Sequence, residues 1–181
     1  MADTMSAHIT LGGRVPRSLV PELCQVIRNQ SASLDWDQEL FEPKTEADLL
    51  AACSSAEGAT PLFLCDHGVA WGEFAELQEF LVKHQLPFDR HHDSKYEISS
   101  ELLRFRPDMG SFHFLTNSDE RIVVLAENML PALALLKQVQ RNLRRGAIQE
   151  AEPLVRQCLA TLKEHLPPDL PAVPPLEIVA S

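Results

Sequence analysis

The sequence predicts one compact α+β domain with a mixed sheet, followed by a C-terminal helical hairpin. Three observations predict it. A short apolar run at 61–65, a helix-periodic segment at 72–84 and another extended piece form a strand–helix–strand unit. Short extended runs between 102 and 126 alternate with turn-forming residues, and two long helical patterns follow. These features predict, in order, a pair of parallel strands, an antiparallel meander and the hairpin.

The first third of the chain contains a strand and a helix. Residues 7–11 alternate as a short strand does, and Gly12 and Gly13 then allow a turn. A phosphate-binding loop is disfavoured, because neither a third spaced glycine nor a Gly-Lys-Ser/Thr triplet follows. Apolar residues at three- and four-residue intervals predict a helix over 16–29, and 32–36 is a weak strand candidate.

The central part of the chain carries the crossover unit. Thr45 and Asp48 approximate a capping box, which predicts a second helix over 46–56. The continuous apolar run at 61–65 is typical of a strand buried on both faces. Because short connections join it through a helix to the extended piece at 86–90, we expect these two strands to be parallel.

The last half of the chain predicts the meander and the hairpin. The runs 102–106, 111–116 and 121–126 are short and are separated by turn-forming residues. A long helical pattern covers 128–145, and a second helix is predicted to open at Glu152 and Pro153.

Composition bounds the class of protein. The chain has 181 residues, 45% of them hydrophobic, which favours one domain over 1–166 and a proline-rich tail or surface strap over 167–181. A net charge of -10 disfavours general binding to nucleic acids or membrane surfaces. No apolar stretch reaches the roughly 18 residues of a membrane span, and the N-terminus lacks signal-peptide features. We therefore expect a cytoplasmic protein.

Polar clusters follow both strands of the crossover unit. Ligand sites in open sheets gather at the carboxyl ends of parallel strands, so these clusters are candidates for a metal site. The candidate ligands, with one further histidine from the meander, are Asp66, His67, His91, His92, Asp93 and His113. Strand alternation places His91 and Asp93 on one face and His92 on the other. Zinc or iron would suit such donors. No recognised metal motif is present, so we expect no cofactor and keep the metal as the alternative.

Other candidate sites are weaker. Cys65 with His67 resembles a thiol nucleophile beside a base, although the apolar run before Cys65 is more typical of an inert core thiol. Asp35 and Asp37 flank Trp36, a combination that some sugar sites use.

Two arginines are the candidate ligand-binding residues. Arg104 and Arg106 flank a phenylalanine and share one strand face. They could bind a carboxylate or phosphate ligand, or line the solvent side of the meander. We favour the solvent-facing interpretation.

Two functional classes follow. The first is a non-catalytic accessory or binding module that acts on a protein partner or a small ligand through the sheet edge, the hairpin or the tail, with a homodimer as one form. The second is a small metal-binding protein or metal-assisted hydrolase, with its site at the ends of 61–65 and 86–90. We favour the first, because the second needs several weak signals to be true together.

Overall fold

The computed structural model describes residues 3–56 and 58–180, and they divide into two compact units. Unit 1 comprises Met1–Arg121 and Pro171–Ser181, and unit 2 comprises Ile122–Leu170. Within the described residues, no helix has both the length and the apolarity that crossing a bilayer requires.

A five-stranded antiparallel sheet forms the centre of unit 1. Its strands are β1 (Thr4–Leu11), β5 (Leu62–Ala70), β6 (Phe88–His92), β7 (Glu101–Arg106) and β8 (Gly110–Leu115). They are ordered β5–β1–β6–β7–β8, and every neighbouring pair is antiparallel. The α+β class is confirmed.

The crossover unit differs from the prediction in one respect. β5 and β6 do run in the same direction, because both are antiparallel to β1. The two strands are therefore parallel, as predicted. However, β1 lies between them, so all neighbouring strands of this sheet are antiparallel, in contrast to the mixed sheet that was predicted. β1 lies between two strands, with both of its edges hydrogen-bonded, and its residues Ala7, Ile9 and Leu11 are buried.

Three helices of unit 1 pack on the sheet. They are α1 (Val20–Asn29), α2 (Glu46–Ala52) and α3 (Ala75–Lys83). Their buried side chains and those of the strands form one apolar core that includes Ile9, Leu11, Leu23, Ile27, Leu49, Leu62, Leu64, Leu77 and Leu81. The apolar faces of these amphipathic helices are therefore buried against one face of the sheet.

The start of α2 confirms the predicted capping box. Thr45 Oγ1 accepts from the Asp48 amide, and the Asp48 carboxylate accepts from the Thr45 amide at 2.8 Å. The hydrogen bonds from the Lys44 and Thr45 amides hold the pKa of Asp48 below its usual value. The helix ends at Ala52, before the predicted end, because Ser54 and Ser55 (β3) pair with 58–59 (β4).

Two other predicted strands are absent from the described residues. The segment 32–36 contributes only isolated bridges at Ser33. The run 121–126 is not a strand either, and the meander consists of β6, β7 and β8. After β8 the Asn117 side chain accepts hydrogen bonds from the amides of Asp119 and Arg121 and closes a turn.

The proline-rich segment returns to unit 1 as a strap. Its last strand, β9 (Leu176–Val179), pairs in parallel with β2 (Gly13–Pro16), and Leu176 is buried. Arg106 Nε also donates to the Pro171 carbonyl at 2.7 Å. A solvated tail is therefore not what the segment forms, because an apolar residue near its end has a place in the core.

Unit 2 is the predicted helical hairpin. It consists of α4 (Ala126–Arg144) and α5 (Ile148–His165), which pack together. Gly146 has a positive φ of 75° in the short connection. α5 begins before the predicted start, so Pro153 lies inside the helix.

Candidate functional site

Two histidines and a glutamate converge at one face of the unit 1 sheet. The register of β1 and β6 places His8 directly opposite His91, and their ring centroids are 5.3 Å apart. Glu120, from the turn after β8, completes the group. One ligand atom from each residue lies within 4.8 Å of the others.

The three side chains open onto a small cavity. Its volume is about 250 Å³, and it is lined by Ser6, Ala7, His8, Trp36, His67, His91, Asp93 and Glu120. The Trp36 ring meets His8 edge-on at 6.4 Å and lies 4.7 Å from the ring of His67. The indole therefore forms an apolar wall beside the polar groups.

A constrained turn positions Glu120. Its backbone φ is 59°, a conformation that costs a non-glycine residue free energy and is often found at functional sites. The Glu120 amide donates to the Asn117 carbonyl at 3.0 Å, which closes the turn. The carboxylate then lies 3.7 Å from His8 Nε2 and 4.0 Å from His91 Nδ1.

The hydrogen bonds around His91 determine where its proton lies. The Ser100 hydroxyl donates its single proton to the His92 carbonyl at 2.9 Å, so its oxygen must accept from the Thr116 hydroxyl, 2.6 Å away. Both hydroxyl oxygens lie 3.0 Å from His91 Nε2 and have only lone pairs left to offer. His91 Nε2 therefore carries a proton and donates to them.

This assignment leaves the other ring nitrogen available. Burial lowers the pKa of His91 and of His8, although Glu120 and Asp93 act in the opposite direction. Burial therefore favours the neutral form of both rings. Neutral His91, protonated at Nε2, has a lone pair on Nδ1, the atom nearest to Glu120. A carboxylate opposite a lone pair has no proton to share, and a cation between them would satisfy both.

His67 and Asp93 lie at the margin of the site. His67 Nε2 binds the Asp37 carboxylate at 3.2 Å, and His67 Nδ1 lies 3.3 Å from Ser6 Oγ. The Asp93 amide donates to the Ser6 carbonyl at 2.9 Å. Both residues line the cavity with His91, as the sequence suggested, but neither belongs to the three-residue cluster.

The remaining predicted metal ligands lie elsewhere. Asp66 pairs with Ala7 across the sheet and does not line the cavity. His92 lies on the face opposite His91, as strand alternation predicts, and its Nδ1 donates to the Asp93 carbonyl at 2.9 Å. His113 Nδ1 lies 3.2 Å from the Glu101 carboxylate. Although burial opposes it, hydrogen bonds from His113 and Arg90 hold the pKa of Glu101 below its usual value.

The two candidate ligand-binding arginines already have a carboxylate. Arg106 Nη1 donates to Asp89 at 2.7 Å, and Arg104 Nε lies 3.3 Å from the same side chain. Arg106 also donates to the carbonyls of Phe88 and Phe105. Asp89 thus occupies the place where a ligand carboxylate was considered.

Cys65 was considered as a nucleophile, and Asp35 with Asp37 as a carboxylate pair. The structure gives these side chains different environments from the ones those roles would need. Burial raises the pKa of Cys65 to about 11, so the thiol is protonated and a poor nucleophile. Asp35 accepts from the Trp36 amide at 2.8 Å, whereas Asp37 binds His67. The two carboxylates thus have separate partners.

Sequence reasoning missed His8 and Glu120. His8 lies in the strand predicted over 7–11, but nothing in the sequence places this strand beside β6. Glu120 lies in a turn that was predicted only as a connection. No protein-family model, curated protein or solved structure matches this chain.

Proposed function

We propose that this protein binds a divalent transition metal, with zinc as the preferred ion, through His8, His91 and Glu120. The observation that carries the proposal is that His8 Nε2 and His91 Nδ1 both lie within 4.0 Å of the Glu120 carboxylate beside a cavity. Two imidazole nitrogens and one carboxylate oxygen form a three-ligand set that zinc uses where a fourth position stays open. The hydroxyls of Ser100 and Thr116 would orient His91, as outer hydrogen-bond partners do for metal-bound histidines.

The distances support closure around an ion. Zinc–nitrogen bonds of about 2.0 Å imply ligand atoms about 3.3 Å apart in a tetrahedron. Here one carboxylate oxygen of Glu120 lies 3.7 Å from His8 Nε2, and the other lies 4.0 Å from His91 Nδ1. The Glu120 side chain is 55% exposed and can rotate to close the difference, whereas the histidines are held by paired strands.

Iron is the competing ion. Two histidines and one carboxylate also bind iron(II) in the oxygenases, but zinc is bound more tightly than iron(II) by the same donors. The more tightly bound ion is therefore expected to be zinc.

Metal content and affinity test the proposal. We expect the purified chain to bind one zinc ion, measured by elemental analysis and titration calorimetry. Glu120→Gln and His8→Gln should each weaken binding at least tenfold. His113→Gln is the matched control, since its ring lies against Glu101 outside the cluster, and it should bind zinc normally. Equal affinity in all four proteins would contradict the site.

A second function is favoured by unit 2. Its helices expose large aliphatic side chains at Leu133, Leu136, Leu143, Ile148, Val155 and Leu159, and Leu166 is exposed directly after α5. Monomeric soluble proteins rarely expose a contiguous apolar patch of this kind. We therefore propose that unit 2 is a non-catalytic binding module for a protein surface. The net charge of -10 favours a protein partner over nucleic acid.

The four free cysteines support a cytoplasmic location.

Amide hydrogen exchange tests this second function. If a protein surface covers the patch, Leu136→Glu should speed exchange in α4 and α5, because the substitution places a charge in the contact. Equal exchange in wild type and variant would mean that nothing covers the patch.

A further inference from the structure

We infer that two copies of this chain associate through unit 2, so that two hairpins form one four-helix bundle. The inference rests on the binding function proposed for unit 2 and names its partner. It does not depend on the metal site.

The contact between α4 and α5 follows a heptad pattern. The only buried side chains among the described residues of unit 2 are Ala132 and Val139 on α4 and Ala151 and Cys158 on α5. Each pair is seven residues apart, and Cys158 Sγ lies 3.5 Å from the Ala132 carbonyl. Small side chains at this seam bring the helices close together, but they bury little apolar surface. A pair of helices with so small a core needs another surface.

A second seam runs one residue later on each helix. Its members recur at intervals of four and three residues, which is the spacing of a coiled-coil contact. On α4 it comprises Met129, Leu133, Leu136, Gln140 and Leu143, and on α5 Ile148, Glu152, Val155, Leu159, Leu162 and Leu166. Several of these residues are well exposed to solvent, with exposed fractions of 52% for Leu143 and 69% for Ile148.

Both second seams face the same side of the hairpin. A step of one residue turns the side chain by about 100° around a helix axis. Because α4 and α5 run in opposite directions, the same step on each helix turns both seams toward one side. The hairpin therefore has one continuous apolar surface, with the polar residues Gln140 and Glu152 within it.

The surface is complementary to itself. The buried residues fix how the two helices are aligned along their length. Ala132 lies near Cys158, and the same alignment places Val139 near Ala151. At the same spacing, the second seam forms the layers Met129 with Leu162, Leu133 with Leu159, Leu136 with Val155, Gln140 with Glu152, and Leu143 with Ile148.

The polar residues of both helices thus fall in one layer. A second copy, related by a two-fold axis along the bundle, places apolar layers on apolar layers and the polar layer on itself. A partner of another sequence would need to reproduce this order.

Area and charge are compatible with a dimer. Nineteen residues of α4 span about 28 Å, and two helices side by side are about 20 Å wide. This face is of the order of the roughly 800 Å² that each partner contributes to a stable interface. The segment 122–170 carries five acidic and six basic side chains, so two hairpins approach without strong repulsion, although the whole chain has a charge of -10.

Sedimentation equilibrium of the full chain tests the inference. We expect a concentration-dependent dimer of the 20.2 kDa chain. Leu136→Glu and Leu159→Glu, at the middle of the surface, should weaken association at least tenfold. Leu130→Glu is the matched control, because Leu130 is 59% exposed on α4 but lies outside the second seam. It should leave the dimer intact, and far-ultraviolet circular dichroism should show that all variants keep their helices.

Hydrogen exchange separates failure of the dimer from failure of the binding function. A wild-type monomer at every concentration overturns the dimer. If Leu136→Glu still speeds amide exchange in α4 of such a monomer, a surface other than a second copy covers the patch. The binding function then stands, and only the identity of the partner is wrong. If amide exchange is also unchanged, both the dimer and the binding function are refuted. Dissociation by Leu130→Glu as strongly as by Leu136→Glu would overturn the assignment of the surface.

Discussion

His8 and His91 lie directly opposite each other on neighbouring antiparallel strands, with ring centroids 5.3 Å apart and ring planes inclined by 31°. Paired strands hold both backbones, so in the proposed metal site the two imidazoles would need little reorganisation to bind one ion. Glu120, from a turn, would supply the adjustable ligand.

Zinc should stabilise the folded protein. Binding to the native state alone raises the free energy of unfolding by about 2.7 kcal/mol when free zinc is a hundred times the dissociation constant. We expect the midpoint of thermal unfolding to rise on zinc addition and to return after chelation. The Glu120→Gln variant should show little of this rise. A rise equal to that of wild type would place the ion elsewhere.

The metal-free protein should lose stability in mild acid. Burial lowers the pKa of His8 and His91 in the folded state, so the unfolded chain binds more protons as the pH falls through about 6.5. The free energy of unfolding should therefore decrease between about pH 7.5 and about pH 5.5, by at most about 1.4 kcal/mol per pH unit for each histidine.

Urea titrations across this range measure that slope. The His8→Gln variant should show a smaller slope than wild type, since one titrating group is removed. His165→Gln, in unit 2, is the control and should keep the wild-type slope. The same slope in the His8 variant would show that other groups govern the acid sensitivity.

Removal of the Ser100 hydroxyl should disturb His91 without touching the ion. Ser100→Ala leaves the His92 carbonyl without its donor and removes one acceptor from His91 Nε2. We expect a loss of about 1–3 kcal/mol in stability and a loss of about 10- to 100-fold in zinc affinity. Nitrogen-15 NMR of the imidazole should show the proton on Nε2 in wild type, and a proton on Nδ1 would refute the assignment.

A methyl group at Gly12 should displace the strap. A Cβ atom there would lie 1.9 Å from the Pro174 carbonyl oxygen, which is far inside van der Waals contact. In Gly12→Ala the pairing of β9 with β2 should weaken, with faster amide exchange at 176–179 and a lower free energy of unfolding. Gly110→Ala is a useful comparison, because no atom lies within 4 Å of its Cβ position, although its φ of 87° adds local strain. Its exchange at 176–179 should match wild type.

The sequence by itself determined the local structure of this protein. Apolar spacing predicted the helices of both units, and Thr45 with Asp48 predicted the start of α2. Alternation along β6 predicted that His91 and His92 would face opposite ways. These features depend on neighbours along the chain, so a single sequence contains the information.

Only the tertiary structure decided which elements meet. Alternation shows which face of a strand is buried, but not which strand lies beside it, so nothing placed β1 between β5 and β6 or His8 beside His91. Glu120 joins them because Asn117 closes the preceding turn with its side chain. Leu176 likewise returns the proline-rich segment to the core because strand pairing outweighs the local preference for an extended, solvated chain. Such contacts depend on packing energies shared by distant residues, which no local pattern records.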